Sequence, residues 1–436
     1  MMKKSAALLL IVGIAFLLPA CFLFKKTQGP RLPAPPKKVE EQQPEPEQEE
    51  QKKNPYEVPA FGEQVKKPVY DVALFVPLAV DQVVSDSGFQ VGSDHPLPST
   101  TVQGLSFYEG ALMALDSLRQ RQVDIRLHVY DSRSTAQPLS RLLRSGRVDS
   151  ADLLIGAVNG DAFKALANFS RDRQINFVSA TYPNDGGLTN NPFLIIVNST
   201  LRIHCVAMQS FAQQKFSNQK ISVVYYNNPQ GKRNLAYLQQ AYQRFDGRKT
   251  PLHPFEWNNE TATDKLVAQL DKNKTNVILL TTLYPDVSLN IIGQLAPYAA
   301  DYKIQIVGMP TLSGLSELER SPYRDVTLYY SSVFPYENLA EYPAMTAMMW
   351  RYFNQYHSRP SNEALNGFET LYYFGRLLDK NGRNFNAGIR NPSGTIMTDF
   401  NFQPVYHSDQ TDPPDYFENT RIYFLRERGG KVTPAN

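Results

Sequence analysis

Asp71–Leu78 reads DVALFVPL, a short apolar run with a proline at its end. A run of this length without polar alternation is the signature of a strand buried on both faces. From Gly104 to Leu118 the apolar positions Leu105, Tyr108, Ala111, Leu112 and Leu115 recur at helical spacing. Ile125–Tyr130, Asp152–Gly156 (DLLIG) and Asn176–Ala180 (NFVSA) are further strands, with helical segments between them. Strand alternating with helix predicts a parallel sheet covered on both faces.

The unit then recurs. Phe193–Val197 is a strand leading to a helix near Leu201–Phe216. Ile221–Tyr226 (ISVVYY) precedes a helix over Lys232–Phe245, and Asn276–Thr281 (NVILLT) precedes one near Val287–Leu295. Ile304–Gly308 and Val326–Tyr330 add two strands. Helices near Tyr342–Tyr356 and Glu363–Leu378 follow, and Thr395–Phe402 and Thr420–Arg426 are expected as late antiparallel strands. The fold class is therefore α/β, with two doubly wound parallel-sheet lobes around an interlobe cleft. Ligands of open parallel sheets bind beyond the carboxyl ends of the strands, where strand order reverses. Two such sheets facing one another create a cleft that a hinge can close.

Upstream of Tyr70 the composition is different. Lys3 and Lys4 precede the apolar run Ala6–Leu18, which matches a secretory signal and is short for a membrane span. Leu18-Pro19-Ala20-Cys21 resembles a bacterial lipobox, in which a small residue precedes the cysteine that receives diacylglycerol. Pro19 departs from that pattern. The resemblance implies residues 1–20 as a signal peptide and Cys21 as the lipidation site. The remainder of 21–67 is rich in Pro, Glu and Lys and lacks apolar partners, which predicts a disordered tether. At roughly 3 Å per residue it reaches up to about 100 Å from a bilayer.

Composition excludes several classes. A formal charge of +3 over 436 residues gives no dense basic face, so no nucleic-acid partner is expected. The six histidines have no metal-ligand spacing with one another or with cysteine, so no metal and no cofactor is expected. No GxSxG elbow, P-loop or GxGxxG occurs, and the chain reads as a non-enzyme. With Cys21 acylated, Cys205 is left alone in an apolar helical stretch as a small core residue.

Several short motifs recur in a fixed order. They are Val72–Pro77, Tyr108-Glu109-Gly110-Ala111, Tyr130-Asp131-Ser132, Ile155-Gly156 and Ser179-Ala180-Thr181. Tyr284-Pro285-Asp286, Gly308-Met309-Pro310 and Gly367-Phe368-Glu369 follow. Together they resemble the leucine/isoleucine/valine-type periplasmic binding proteins, over roughly Tyr70 to Lys431. The resemblance implies a type I periplasmic-binding fold, with residues 68–198 and 332–385 in lobe 1 and residues 199–331 and 386–436 in lobe 2. It implies three hinge crossings between the lobes.

It also implies where a ligand would sit. The family holds a ligand carboxylate on lobe 1 loop hydroxyls and backbone N–H groups. The matching positions are Asn159-Gly160-Asp161 and Ala180-Thr181. Ala180 and Thr181 fit; Asn159, Gly160 and Asp161 replace family serines, and Asp161 would repel a carboxylate. On lobe 2, Tyr284 matches a cleft-wall aromatic and Asn227 lies in the loop of a closing tyrosine. Thr311, next to Pro310, stands near the family's acidic ammonium ligand and is neutral. Each of these residues also has a plainer reading. Asn159, Asn227 and Asn228 are good turn formers, Gly160 and Gly231 are permissive backbone, and Tyr284 suits a packed rim.

Two functions from different classes remain open. One is a solute-binding lipoprotein that captures an amino acid, peptide or other small polar ligand for an ABC importer permease. The other is a cell-envelope lipoprotein of the same fold that acts by protein contact, such as a regulator of a cell-wall synthase. Both readings place the chain facing the periplasm, attached to a membrane by lipid.

Overall fold

β1 (Tyr70–Val76) is buried at every position but Asp71, as its apolar run requires. The computed structural model describes residues 66–86, 88–92, 96–258, 263–320, 323, 326–335, 343–389, 396–407 and 413–435. The expected signal peptide, Cys21 and nearly all of the expected tether lie outside the described residues. After β1 come α1 (Val80–Val83), the antiparallel pair β2 (Val84–Ser85) and β3 (Gly88–Phe89), and the long helix α2 (Ser99–Gln120). β4 (Ile125–Asp131), α3 (Leu139–Arg144), β5 (Leu153–Gly156), α4 (Gly160–Arg173), β6 (Asn176–Ser179) and β7 (Leu194–Ile196) complete a first winding.

The second winding runs through α5 (Leu201–Lys215), β8 (Lys220–Tyr226), α6 (Pro229–Arg244), β9 (Leu252–Trp257) and α7 (Thr263–Val267). It continues with β10 (Asn276–Leu280), α8 (Pro285–Leu295), α9 (Ala299–Tyr302), β11 (Ile304–Gly308) and β12 (Thr327–Ser332). Last come α10 (Pro343–Tyr356), α11 (Asn362–Asn381), β13 (Phe402–Val405), β14 (Tyr416–Asn419), β15 (Tyr423–Arg428) and β16 (Lys431–Pro434).

The strands form two large sheets, one per lobe. The first has the order β13-β14-β7-β6-β5-β1-β4 and is parallel except for β13. The second has the order β16-β15-β12-β11-β10-β8-β9 and is parallel except for β15, which pairs antiparallel with both β12 and β16. β10 (NVILL) is buried at all five positions, because helices cover both faces of a parallel sheet. Strand order reverses between β1 and β5 in the first sheet and between β8 and β10 in the second. These are the two crevices where a ligand is expected.

Sequence periodicity predicted most of these elements, and the exceptions have physical causes. β9 (LHPFEW) was missed: it contains Pro254 and is an edge strand, where the lost N–H costs no ladder bond. The strand expected at Thr395–Phe402 begins only at Phe402. In the segment before it, side chains take the backbone N–H groups: Thr398 N–H donates to Glu369 Oε1 (2.8 Å) and Asp399 N–H to Tyr423 Oη (2.8 Å). The strand expected at Thr420–Arg426 begins only at Tyr423 and runs to Arg428, because the chain changes sheets between Asn419 and Tyr423. Residues 386–436 were expected wholly in the second lobe. Instead β13 and β14 hydrogen-bond into the first sheet beside β7, and only β15 and β16 join the second.

The chain crosses between sheets after β7, after β12 and after β14. Two crossings are stitched together. Ser199 Oγ donates to the Asn419 carbonyl at 2.6 Å, and Asn419 Nδ2 donates to the Val197 carbonyl at 3.2 Å. Glu418, fully buried on β14, accepts from Thr200 N–H (2.7 Å) and from Arg202 at the start of α5 (3.2 Å). Burial pushes the Glu418 carboxyl above its ordinary range, and these donors oppose that shift.

Candidate ligand site at the first lobe crevice

A cavity of about 650 Å³ opens at the carboxyl ends of β1 and β5, at the reversal in the first sheet. Strand-end loops supply Pro77, Ser132, Arg133 and Ala157–Asn159, and the first turn of α4 supplies Gly160, Asp161 and Ala162. α2 adds Thr100, Gln103, Gly104 and Phe107, and α11 adds Asn362, Glu363 and Asn366. Thr181 and Asn198 come from either side of β7, and Ser332 and Phe334 from the crossing after β12. Ser313 and Leu425 belong to the second lobe, so the cavity lies between the lobes.

Two aspartates fix the loops on one side. The Asp131 carboxylate accepts from the backbone N–H groups of Leu78 (3.0 Å), Ala79 (3.0 Å), Val80 (2.9 Å) and Arg133 (2.9 Å). In return Asp81 accepts from Thr135 N–H (2.6 Å), Ala136 N–H (2.7 Å), Thr135 Oγ1 (2.8 Å) and Ser134 Oγ (3.2 Å). The Ala136 backbone bond, then the Thr135 side chain, hold the Asp81 carboxyl below its usual range. The β1 and β4 loops therefore hold each other, and Pro77, Ser132 and Arg133 are carried on that clamp.

Two glycines fix the wall that α2 and α11 build. A Cβ on Gly110 of α2 would lie 1.8 Å from the Ala364 carbonyl oxygen, and one on Gly367 of α11 would lie 2.0 Å from that of Phe107. The two helix backbones thus touch at the crossing. This contact brings Gln103 and Phe107 beside Glu363 and Asn366. α11 starts where Ser361 caps it, its Oγ accepting from Ala364 N–H (3.3 Å).

α4 points its N-terminus at the cavity. Asn159 stands at the N-cap in extended conformation without a side-chain cap bond, and Gly160 has φ 55°. The first N–H groups of a helix have no intrahelical partner and attract negative charge. Here Asp161 brings its own carboxylate into that turn. Arg133, Asp161 and Glu363 are the charged residues of the lining, and none forms an ion pair or side-chain hydrogen bond among the described residues.

Of the residues expected from the sequence, Asn159, Gly160, Asp161 and Thr181 meet at this cavity. Ala180 does not; it is fully buried, and its N–H continues the ladder to the Gly156 carbonyl. Asn227 is exposed in the second lobe, its N–H donating to the Trp257 carbonyl at 3.0 Å. Tyr284 is 45% exposed at the start of α8, with its ring 6.4 Å from that of Tyr226. Thr311 lies in the turn Pro310–Leu312, with its hydroxyl buried. Asn227 and Tyr284 mark the reversal of the second sheet and lie apart from the cavity lining. Sequence reading missed Gln103, Arg133, Glu363 and Asn366. Arg133 follows directly on Tyr130-Asp131-Ser132, and Glu363 lies one helical turn before Gly367, so both stood beside motifs already noticed.

Among the described residues, no group of three or more His, Cys, Asp and Glu side chains is placed to hold a metal. No helix among them is long and apolar enough to cross a membrane.

Comparison with known proteins agrees with the topology. A Rhodospirillum rubrum protein assigned to a branched-chain amino acid ABC transporter superposes with a TM-score of 0.62 at 13% identity, over 84% of this chain and 100% of its own. A branched-chain amino acid transporter protein from Rhodopseudomonas palustris gives 0.59 at 13% identity, over 84% and 95%. A substrate-binding protein from Desulfitobacterium hafniense in complex with Leu gives 0.53 at 10% identity, over 84% and 100%. At such identities the likeness speaks for the fold alone. Among curated protein sequences none matches this chain. The family profile described as periplasmic binding protein matches residues 98–400, well over half of the sequence. The chain belongs to the periplasmic binding protein family.

Proposed function

We propose that this protein is the solute-binding component of an ABC importer, capturing a small polar ligand between its lobes without any covalent step. The observation that carries the reading is the cavity itself. It sits at a strand-order reversal, touches both lobes and is lined by charged side chains that have no ion-pair partner among the described residues. The stitched crossings at Ser199–Asn419 and Glu418–Arg202 supply a hinge about which the lobes would close. The proposal extends to the anchor: Cys21 carries lipid, and the tether lets the body range from the membrane on its periplasmic side. The lipobox-like Leu18–Cys21 and the basic residues Lys3 and Lys4 support that part.

Thermal-shift and calorimetric screening against amino acids, peptides and sugar fragments tests the first part. One solute class should bind with a 1:1 ratio, and Thr181→Trp, which fills the cavity, should abolish binding while leaving the fold intact. Saturable binding that survives Thr181→Trp would place the site elsewhere. Cys21→Ser tests the anchor: the protein should move from the membrane fraction to the soluble fraction.

A further inference from the structure

Resting on the solute-binding reading, we infer that the cavity takes a molecule with two cationic groups and one carboxylate: a basic amino acid, free or within a dipeptide. The lining carries one guanidinium and two carboxylates, each from a different element. Arg133 follows β4, Asp161 is in the first turn of α4 and Glu363 is in the first turn of α11. Arg133 and Asp161 are exposed and Glu363 half-buried, with no side-chain partner among the described residues; closing the lobes on a ligand that lacked the opposite charges would desolvate them unpaired, which is costly. Two ammonium or guanidinium groups against Asp161 and Glu363, and one carboxylate against Arg133, satisfy all three.

The position of Asp161 decides where the carboxylate goes. A helix N-terminus would ordinarily be the natural seat for an anion. Asp161 already places negative charge in the first turn of α4, so an incoming carboxylate is repelled there and drawn to Arg133. On the α2 and α11 wall, Glu363 stands with the amides of Gln103, Asn362 and Asn366. A branched aliphatic side chain entering beside these groups would leave them unpaired, and sites built from polar groups discriminate strongly against partners that cannot bond. The volume, about 650 Å³, lies mid-range for drug-sized ligands at roughly 300–1,000 Å³, which leaves room for a dipeptide.

The test is isothermal titration of the full-length protein with lysine, arginine, ornithine, Lys-Ala, Ala-Lys, leucine and glutamate. At least one of the five basic solutes should bind tenfold or more tightly than leucine and glutamate. Glu363→Gln, Asp161→Asn and Arg133→Gln should each weaken that binding by about tenfold, the scale of one charge-assisted contact. Glu363→Gln should leave the ligand-free melting temperature unchanged, which separates lost recognition from lost folding. Leucine or glutamate binding as tightly as the basic solutes, or affinity indifferent to all three substitutions, would overturn the ligand class and leave solute binding standing. Failure of all seven solutes would also overturn the class. If a broad panel of amino acids, peptides and sugars then fails as well, the solute-binding reading goes with it.

Discussion

Replacing Gly367 by alanine tests how the α2 and α11 wall of the cavity is set. On propensity alone the change should help, since alanine is favoured over glycine inside a helix by about 1 kcal/mol. The packing says otherwise. The new methyl would stand 2.0 Å from the Phe107 carbonyl oxygen and 2.9 Å from its carbon. Non-bonded heavy atoms settle at about 3.5 Å or more, so α2 and α11 must part by more than about 1 Å. The obstacle is backbone and cannot rotate away. Overpacking of this kind costs roughly 1–3 kcal/mol, which outweighs the propensity gain. Gly367→Ala should therefore lower unfolding free energy in urea by about 1 kcal/mol net. It should also weaken ligand binding, because Phe107 and Glu363 on either side of the crossing both line the cavity. Gly92→Ala is the control: nothing lies within 4 Å of its added methyl, and its stability should stay within about 0.5 kcal/mol of the parent. A Gly367→Ala protein as stable as the parent, or more so, would refute the reasoning.

Other consequences are open to measurement. Burial pulls His204 down to about 4, against about 6.5 in an unfolded chain. The unfolded state therefore takes up this proton first. Stability from the site is complete above pH 6.5 and falls by up to about 3 kcal/mol on acidification to pH 4; His204→Gln should flatten that part of a pH series of urea melts. Burial pushes the Cys205 thiol up to about 12, so at pH 8 it should resist a disulfide reagent until the protein unfolds. Reaction at the unfolded rate in native buffer would contradict this. Glu369 is buried and accepts from Met397 N–H (3.1 Å) and Thr398 N–H (2.8 Å). Glu369→Ala strands both donors and should cost about 3 kcal/mol in denaturant unfolding, with faster hydrogen exchange at those two amides.

The windings were legible because buried parallel strands read as unbroken apolar runs, and NVILL at Asn276–Leu280 leaves no other interpretation. Where side chains replace the ladder, the pattern fails. Thr398 and Asp399 look strand-like, yet Glu369 and Tyr423, distant in sequence, take their N–H groups. The exchange of sheets between β14 and β15 was invisible for a related reason, since a chain crossing between lobes keeps the same local composition. At the site, the family resemblance pointed to the loops after β5 and β6, and Asn159, Gly160, Asp161 and Thr181 do line one cavity. Arg133 and Glu363 could not be found that way. The first depends on the Asp131–Asp81 clamp and the second on the glycine crossing of α2 and α11, both contacts between residues more than fifty positions apart.

A crystal structure of the protein saturated with its tightest-binding solute tests the account most directly. The solute should occupy the space bounded by Arg133, Asp161, Thr181 and Glu363, with the second lobe closed onto it about the crossings at Ser199, Ser332 and Asn419. An empty cavity there, with the solute held elsewhere, would contradict it.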